Sequence, residues 1–369
     1  MKRWLPEVLC GAVLCVILSL GLWPFHVPQN DVTWLQTTNG LHFGKYSTVL
    51  SSGKFQPQAG ERPFSSSLEI WLQPTRIWDS GTFLAFYDPG NPRGLSLRQW
   101  QTDLLVKSGQ ELQLDNVFRR TGPAFLTITT GLQGTRVYVD GAAAKSSPEV
   151  RLSADAFAGQ LVLGDAPRQS DTWSGRLLGL AIYPRELAPP EVREHFLSWT
   201  RQKKPEAAAD ERALYLFDEH KGRVIHSQAG PGVDLYIPQK YVVLDQLFLE
   251  DPWSEYRRTQ GFWGAVLKNI VGFVPLGCCF YAYFTVVRQI RHPVLTTILI
   301  GTAVSLAIEV VQAFLPMRDS GMMDLVTNTL GTSLGVLACK ALNAQGILRP
   351  WYAKAIAGST AAQNRFSRP

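Results

Sequence analysis

Two long apolar segments near the C-terminus constrain the fold of this chain most strongly. Residues 294–315 and 323–342 are predominantly apolar, and a short turn at 316–321 separates them. A helix needs about 20 apolar residues to cross a bilayer, so each segment is long enough to span one. The ends that meet at the turn nevertheless carry the polar side chains of Glu309, Gln312, Arg318, Asp324 and Asn328. The sequence therefore predicts two antiparallel membrane helices with polar residues gathered at one end.

The spacing of these polar residues places them on common helix faces. Glu309 and Gln312 lie three residues apart and Asp324 and Asn328 lie four apart, so each pair shares one face. A carboxylate at the bilayer centre costs about 3 kcal/mol on insertion scales, and an acid inside a span is therefore a candidate functional residue. Asn269 falls at a similar depth, about 10 Å into another apolar segment. We expect an intramembrane polar pocket formed by Asn269, Glu309, Gln312, Arg318, Asp324 and Asn328.

Two further apolar segments complete the predicted membrane topology. Residues 5–23 follow Lys2 and Arg3 without a small-residue cleavage site, which indicates an uncleaved first helix. Residues 262–287 are followed by a basic exit containing Arg288, Arg291 and His292. Because basic loops stay in the cytoplasm, we predict a bundle of four transmembrane helices with both termini inside. Arg257 and Arg258 lie on the outer side in this arrangement and run against the rule.

Charge and cysteine usage exclude several classes of function. The net charge is only +6 over 369 residues, and the basic residues form no Arg-rich stripe, which argues against nucleic acid as a partner. The five cysteines all lie in the apolar segments, so the sequence offers neither a disulfide framework nor zinc-ligand spacing. We expect no metal and no cofactor.

Between about residues 30 and 199 the apolar residues alternate instead of following a helical period. Short alternating runs such as SSSLEIWLQP, AFLTITT and TRVYVDG are separated by Gly, Pro, Asn and Asp, a pattern typical of an antiparallel β-sandwich. Asp140-Gly141 predicts a tight hairpin, because a type I′ turn needs positive φ at both central residues. Pro189–Gln202 predicts a short amphipathic helix with Val192, Phe196 and Trp199 on one side.

These runs resemble a known family of β-sandwiches. SLEIWLQP, TRVYVDG and WSGRLLGLAIYPRELAPPEVREHF occur in the order found in the laminin-G-like, concanavalin A-like jelly-roll family. The resemblance implies an all-β jelly roll that binds carbohydrate or protein, or serves only as a spacer. The predicted topology places this sandwich outside the cytoplasm. Two points stay open. Trp78, Trp100 and Trp173 either stack on a sugar or fill the core, and Asp165 and Asp171 either hold calcium or lie in surface loops.

The segment after the sandwich allows two interpretations. Residues 213–238 again contain short strand-like runs. They either return to complete the sandwich or form a separate β-linker. The predicted organisation is a first helix at 1–28, a sandwich at 29–203, this β segment at 204–250, membrane helices two to four at 251–345 and a cytoplasmic polar tail at 346–369.

The membrane segments resemble the VanZ-like family. The resemblance rests on NIVGFVPLG, IEVVQAFLPMR and DLVTNTLGTSLG, which occur in the family's order. It places family motif positions at Asn269, Phe273, Pro275, Gly277, Glu309, Gln312, Arg318, Asp324, Asn328 and Gly331. Phe273, Pro275, Gly277 and Gly331 are interpreted as shaping and packing the helices. The alternative for Glu309 and Arg318 is a purely structural ion pair.

The resemblance implies a place in the bacterial cell envelope and an association with glycopeptide antibiotic resistance, without a defined reaction. We therefore expect a multi-pass protein of the cytoplasmic (inner) membrane that joins an extracytoplasmic carbohydrate- or protein-binding sandwich to the polar pocket. Its partners would be membrane lipid and an envelope glycan or lipid-linked ligand. The alternative is an enzyme acting on a lipid-linked envelope substrate, with Glu309 or Asp324 as acid or base. The absence of a recognisable catalytic constellation favours a non-catalytic binding module.

Overall fold

The computed structural model describes residues 5–57, 64–168, 170–202, 211–229, 232–253 and 262–344. The chain forms two compact units. The β unit is Val27–Asp245, and the helical unit combines Met1–His26 with Gln246–Pro369. The basic N-terminal pair Lys2 and Arg3, most of the 201–212 joint, Arg257 and Arg258, and the predicted polar tail at 346–369 lie outside the described residues.

The β unit is a sandwich of two antiparallel sheets, each with eight strands. In the first sheet the order is β1-β2-β13-β4-β9-β10-β11, with β14 also paired to β13, and in the second it is β15-β16-β3-β12-β5-β6-β7-β8. The strands are β1 Val32–Trp34, β2 Leu41–Phe43, β3 Val49–Phe55, β4 Ser66–Pro74, β5 Ser80–Tyr87, β6 Ser96–Trp100, β7 Asp103–Ser108, β8 Gln110–Leu114, β9 Ala124–Gly131, β10 Gly134–Val139, β11 Ala142–Ser147, β12 Gly159–Leu163, β13 Gly175–Tyr183, β14 Ala213–Tyr215, β15 Val224–Ile225 and β16 Leu235–Tyr236. The predicted all-β sandwich is confirmed.

Side-chain alternation explains which residues fill the space between the sheets. Along β6, Leu97 and Gln99 are buried and their neighbours are partly exposed, as expected for a strand with one face on the core. β9 is buried along its whole length, because its outer face is also covered. The covering element is helix α2, Pro189–Gln202, whose Val192 and Trp199 pack in one apolar cluster with Phe125 of β9.

The predicted hairpin lies at Asp140-Gly141. These two residues connect β10 to β11 and have φ angles of 50° and 76°. Both values lie in the left-handed region that a type I′ turn requires. The turn chemistry visible in the sequence therefore fixes this connection.

Residues 213–237 belong to both sheets of the β unit. β14 pairs with β13 of the first sheet, and β16 joins β15 to β3 of the second. The described residues of this segment contribute five fully buried side chains to the core, Ala213, Tyr215, Phe217, Ile225 and Leu235. The two ends of the β unit also meet, since Asn30 N–H donates to the Gln239 carbonyl over 3.2 Å.

The helical unit contains α1 Leu5–Leu22, α3 Phe262–Val286, α4 Pro293–Gln312 and α5 Met322–Ala344. Among the described residues, α3, α4 and α5 are long and apolar enough to cross a membrane. The described stretch of α1, Pro6–Leu22, is apolar but shorter. Among the described residues, the expected count of four spanning helices is therefore corrected to three plus one shorter apolar helix. The 18 described residues of α1 extend about 27 Å, against a hydrocarbon core of about 30 Å.

Candidate functional site

The predicted polar residues lie at one end of the helical unit, where α4 ends and α3 and α5 begin. Antiparallel neighbours bring these ends together. Glu309, Gln312 and Asn328 are 1%, 4% and 5% exposed, so their polar groups depend on neighbouring protein groups for hydrogen bonds.

Asn269 and Asp324 connect α3 to α5. The Asn269 Nδ2 donates to Asp324 Oδ1 over 2.6 Å. This distance is short for an N–H···O bond, as expected when the acceptor is a carboxylate. The first turn of α5 is therefore fixed to the second turn of α3 by two of the predicted site residues.

Gln312 and Arg318 converge on one acceptor that the sequence did not indicate. Gln312 Nε2 donates to the carbonyl oxygen of Gly21 over 2.7 Å, and Arg318 Nη2 donates to the same oxygen over 3.0 Å. Gly21 is near the end of α1, whose last carbonyl groups lack partners within the helix. Both residues therefore cap the end of α1. Their positions in the sequence, at the end of α4 and in the turn after it, do not predict this role.

Glu309 bonds to the turn between α4 and α5. Its Oε2 accepts the N–H of Gly321 over 2.9 Å. The segment before α3 covers the same turn, because Glu250 N–H donates to the Ser320 carbonyl and Met322 N–H donates to the Glu250 carbonyl. A purely structural Glu309–Arg318 ion pair was the alternative for these residues. Between these two described residues no ion pair is present; Arg318 instead bonds to Gly21.

Asn328 lies deeper along the contact between α4 and α5. Its Nδ2 donates to Ser305 Oγ over 2.9 Å. Ser305 follows from the sequence, since it shares a helix face with Glu309 and Gln312. The Oδ1 of Asn328 and the Oε1 of Gln312 are buried and have no hydrogen-bond donor within the described part of the chain.

The glycines of the motif allow α3 and α5 to approach closely. A Cβ added at Gly277 would lie 2.0 Å from the Thr332 carbonyl oxygen, and one at Gly331 would lie 2.2 Å from the Ile270 carbonyl oxygen. Backbone therefore packs against backbone, which small residues permit between membrane helices. Phe273 is buried in the contact of α3 with α1 and α4, whereas Pro275 is exposed within α3.

Gly272 follows Asn269 by three residues on α3 but takes no part in helix packing. It is exposed, and a Cβ at this position would meet nothing within 4 Å. Leu276 is fully buried against α1 and α4. A helix face is wider than one row of residues, so spacing alone did not distinguish Gly277, which touches α5, from Gly272, which does not.

The three tryptophans proposed for sugar stacking have different environments. Trp173 is fully buried and donates through Nε1 to Gln99 Oε1 over 2.7 Å, so the structure assigns it to the core and corrects its place among the sugar-stacking residues. Trp100 is partly exposed, but the Arg98 guanidinium lies 4.7 Å from its ring centroid. Trp78 is 68% exposed and is the one of the three whose ring is open for stacking.

Asp165 and Asp171 are engaged inside the β unit. Asp165 is fully buried rather than in a surface loop, and it accepts bonds from the N–H groups of Ala166 and Asp171 and from the Tyr241 hydroxyl. Burial raises the pKa of Asp165 to about 8, against the opposing effect of these donors. Asp171 accepts both Arg98 Nε and Nη2, at 2.9 and 3.1 Å. The oxygens proposed as calcium ligands are therefore occupied by protein donors.

A buried polar network beneath α2 was not predicted. Glu69 of β4 is fully buried and accepts hydrogen bonds from the Tyr183 hydroxyl and Trp199 Nε1, and its carboxylate lies 3.1 Å from His195 Nδ1. Burial disfavours the charged imidazole, but the hydrogen bond and charge of Glu69 outweigh it, so the pKa of His195 is raised. In the sequence, this network was indicated by the position of His195 on the apolar face of α2, between Val192 and Trp199.

Comparison with known proteins identifies both units. The profile of the VanZ/LLP1 family matches residues 216–343, and that of the concanavalin A-like lectin/glucanases superfamily matches residues 43–193. The search of curated proteins gives no match.

Solved structures with similar folds include several of known source. The receptor-binding domain of botulinum neurotoxin D is 14% identical, with a TM-score of 0.35, and the match covers 48% of each chain. A protein from Bacteroides ovatus named for carbohydrate binding is 12% identical, with a TM-score of 0.35 and coverage of 55% of this chain and 63% of that one. Trypanosoma rangeli sialidase is 17% identical, with a TM-score of 0.36 and coverage of 47% and 29%.

The first of these matches thus spans about half the length of the solved chain. The concanavalin A-like profile lies within the β unit, whereas the VanZ/LLP1 profile begins at residue 216, among the last strands of the β unit, and runs through α3, α4 and most of α5. This chain combines a VanZ-like domain with a concanavalin A-like β-sandwich, and three of its described helices are long and apolar enough to cross a membrane.

Proposed function

We propose that this protein is a non-catalytic binding module of the bacterial cell envelope, in which the polar cluster of the helical unit receives the head of an amphiphilic ligand. One observation carries the proposal: the Gln312 Oε1 and Asn328 Oδ1 atoms are buried without a donor in the described residues. A buried acceptor without a donor costs about 1–3 kcal/mol. A ligand with hydroxyl or amine groups would supply the missing donors.

The positive-inside rule gives the proposed orientation. Arg288, Arg291 and His292 are exposed between α3 and α4, which assigns that end of the helices to the cytoplasm. The polar cluster is at the opposite end of α4 and would open toward the outer face of the cytoplasmic membrane. Because the β unit precedes α3 in the chain, it would be extracytoplasmic as well, and the end of α5 would be inside. Placing the N-terminus inside too requires the shorter helix α1 to cross the membrane.

The β unit is proposed to bind an envelope glycan. The support is its concanavalin A-like profile and the open ring of Trp78, since an exposed aromatic ring suits the apolar face of a sugar. A lipid-linked glycan would offer a sugar to the β unit and a polar head to the helical unit. A contribution to glycopeptide resistance is part of this proposal on the VanZ-like profile alone.

The alternative enzyme is less well supported by the same geometry. Its acid or base would be Glu309 or Asp324. Glu309 holds the turn at Gly321, and Asp324 holds Asn269. Both carboxylates thus have structural partners, so we prefer binding to catalysis.

The pocket is tested by measuring what the full-length protein retains through purification in mild detergent. Amphiphiles extracted from Gln312→Met and Asn328→Leu would be quantified by mass spectrometry against wild type. Gln312→Met is nearly isosteric, and Arg318 still donates to Gly21 in this variant. We expect retained amphiphile to fall while the yield of folded protein holds.

The matched control is Asn343→Leu, the same change at the other end of α5. It should retain the wild-type amount. If Gln312→Met and Asn328→Leu also retain that amount, the polar cluster is not the binding site.

A further inference from the structure

An apolar groove runs between α1 and α3 on the lipid-facing side of the helical unit. Its volume is about 200 Å³, and it is lined by Ala12, Val13, Val16, Ile17, Gly272 and Pro275. The groove is separate from the polar cluster, because none of its lining residues belongs to that cluster and Asn269 of α3 is bonded to Asp324 of α5.

The sequence of α3 leaves this groove open. Gly272 has no side chain, and the space beyond its Cα holds no atom within 4 Å of an added Cβ. On the facing wall, Val16 of α1 is 56% exposed. Glycine inside a helix costs about 1 kcal/mol relative to alanine. Close helix packing does not account for this glycine, since nothing touches it.

Lys268 continues the line of the groove toward the outer end of α3. It precedes Gly272 by four residues and Pro275 by seven, so the three lie on one helix face. Lys268 is exposed within a predicted span, about 9 Å from the start of the helix. Among the described residues it has no ion-pair partner.

A lysine in this position points to an anionic partner. Ionisable residues within spans are rare and mark functional positions. A lysine near a helix end extends its ammonium group toward the interface while its stem lies along apolar surface. An ammonium directly above an apolar groove matches the arrangement of a phosphate above an acyl chain.

We propose that the α1–α3 groove is a binding site for an anionic phospholipid, with one acyl chain between Val16 and Gly272 and the phosphate at Lys268. The chain fills the space left by Gly272, and the charge of Lys268 selects the head. This site does not depend on the polar cluster or on its ligand.

The test uses full-length protein in nanodiscs containing equal amounts of phosphatidylglycerol and phosphatidylcholine, with bound lipid released and counted by native mass spectrometry. Wild type should retain phosphatidylglycerol preferentially. Gly272→Leu fills the groove from α3 and should release bound lipid several-fold more readily. Lys268→Gln leaves the groove open and should lower the preference for phosphatidylglycerol by about fivefold, the effect of one lysine near an anionic surface.

Gly11→Leu is the matched control, because Gly11 of α1 is another exposed glycine with nothing within 4 Å of an added Cβ, and it does not line the groove. It should bind lipid as wild type does. Val16→Phe narrows the groove from α1 and serves if Gly272→Leu does not fold. The proposal is overturned if the groove-filling variant retains as much lipid as Gly11→Leu, or if Lys268→Gln keeps the full preference for phosphatidylglycerol.

Discussion

The carboxylate of Glu309 accepts the backbone N–H of Gly321 over 2.9 Å. Glu309 is 1% exposed, and Gly321 is also buried, directly before the first residue of α5. Gly321 further pairs with Glu250 in an isolated parallel bridge. An acid near the end of α4 thus positions the turn that begins the next helix.

Two replacements of Glu309 distinguish its structural role at the Gly321 turn from a role in binding the proposed ligand. Glu309→Gln keeps a side-chain oxygen for the Gly321 N–H and should hold thermal stability in detergent near wild type. Glu309→Leu removes the acceptor and should lower the free energy of unfolding by about 1–3 kcal/mol, because the buried N–H loses its partner. If Glu309 also contacts the ligand, Glu309→Gln should still lose retained amphiphile.

The double variant Glu309→Gln with Arg318→Met tests whether Glu309 and Arg318 act as a structural ion pair or independently. A structural pair predicts that the double variant restores what either single change loses. Because Arg318 donates to Gly21, we expect no such rescue of membrane abundance. Recovery of both abundance and amphiphile would contradict a site at Glu309.

Alanine should have opposite effects at two glycines of α3, the motif residue Gly277 and the exposed Gly272. Gly277→Ala places a Cβ against the Thr332 carbonyl oxygen at 2.0 Å, so α3 and α5 must separate, at a cost of about 1–3 kcal/mol. Gly272→Ala meets nothing within 4 Å and should be neutral or stabilising by up to about 1 kcal/mol. Thermal unfolding of the two variants in one detergent measures the difference, and equal losses would contradict the close helix contact.

The β unit should fold by itself only with its last strands. We expect the fragment 27–245 to be a soluble β protein without cysteine, with a cooperative urea transition. The fragment 27–202 lacks Tyr215, Phe217, Ile225 and Leu235, all fully buried. At about 1.5–3 kcal/mol for each side chain, this loss matches the whole stability of a typical domain.

Circular dichroism of both fragments provides the measurement. An unfolded or helical spectrum for fragment 27–245 would contradict the independent core. A fully stable fragment 27–202 would show that β14, β15 and β16 are dispensable.

The Glu69–His195 pair should make the stability of the β unit depend on pH. The folded-state pKa of His195 is raised, so its stabilisation is complete below the unfolded value of about 6.5 and is lost as pH rises through the folded value. Urea unfolding of wild type should therefore show stability falling as the pH rises above about 6.5. Part of this loss comes from Asp165, whose raised pKa acts in the same direction.

Comparing His195→Gln with His220→Asn isolates the contribution of His195 to the pH dependence of stability. His220 is exposed in the same unit and should leave the pH dependence unchanged. His195→Gln should flatten it. An unchanged pH profile in His195→Gln would assign the dependence to other groups.

Local patterns in the sequence determined the class of each element. Alternating residues gave the strands, because successive side chains of a strand point to opposite faces. Asp140-Gly141 gave its turn, because few residue pairs adopt two positive φ angles. The apolar lengths gave α3, α4 and α5, and the motif glycines marked where helices approach. Each of these properties depends on residues close together in the chain.

Tertiary structure decided which faces are covered and which polar groups meet. Trp173 and Trp78 are chemically alike in the sequence, yet one is fully buried and the other is 68% exposed. Arg318 bonds to Gly21, almost 300 residues away, instead of to Glu309. Glu69 and His195 meet because α2 folds back over β4. Such contacts join distant segments, so no local period encodes them, and only the packing of the whole unit determines each partner.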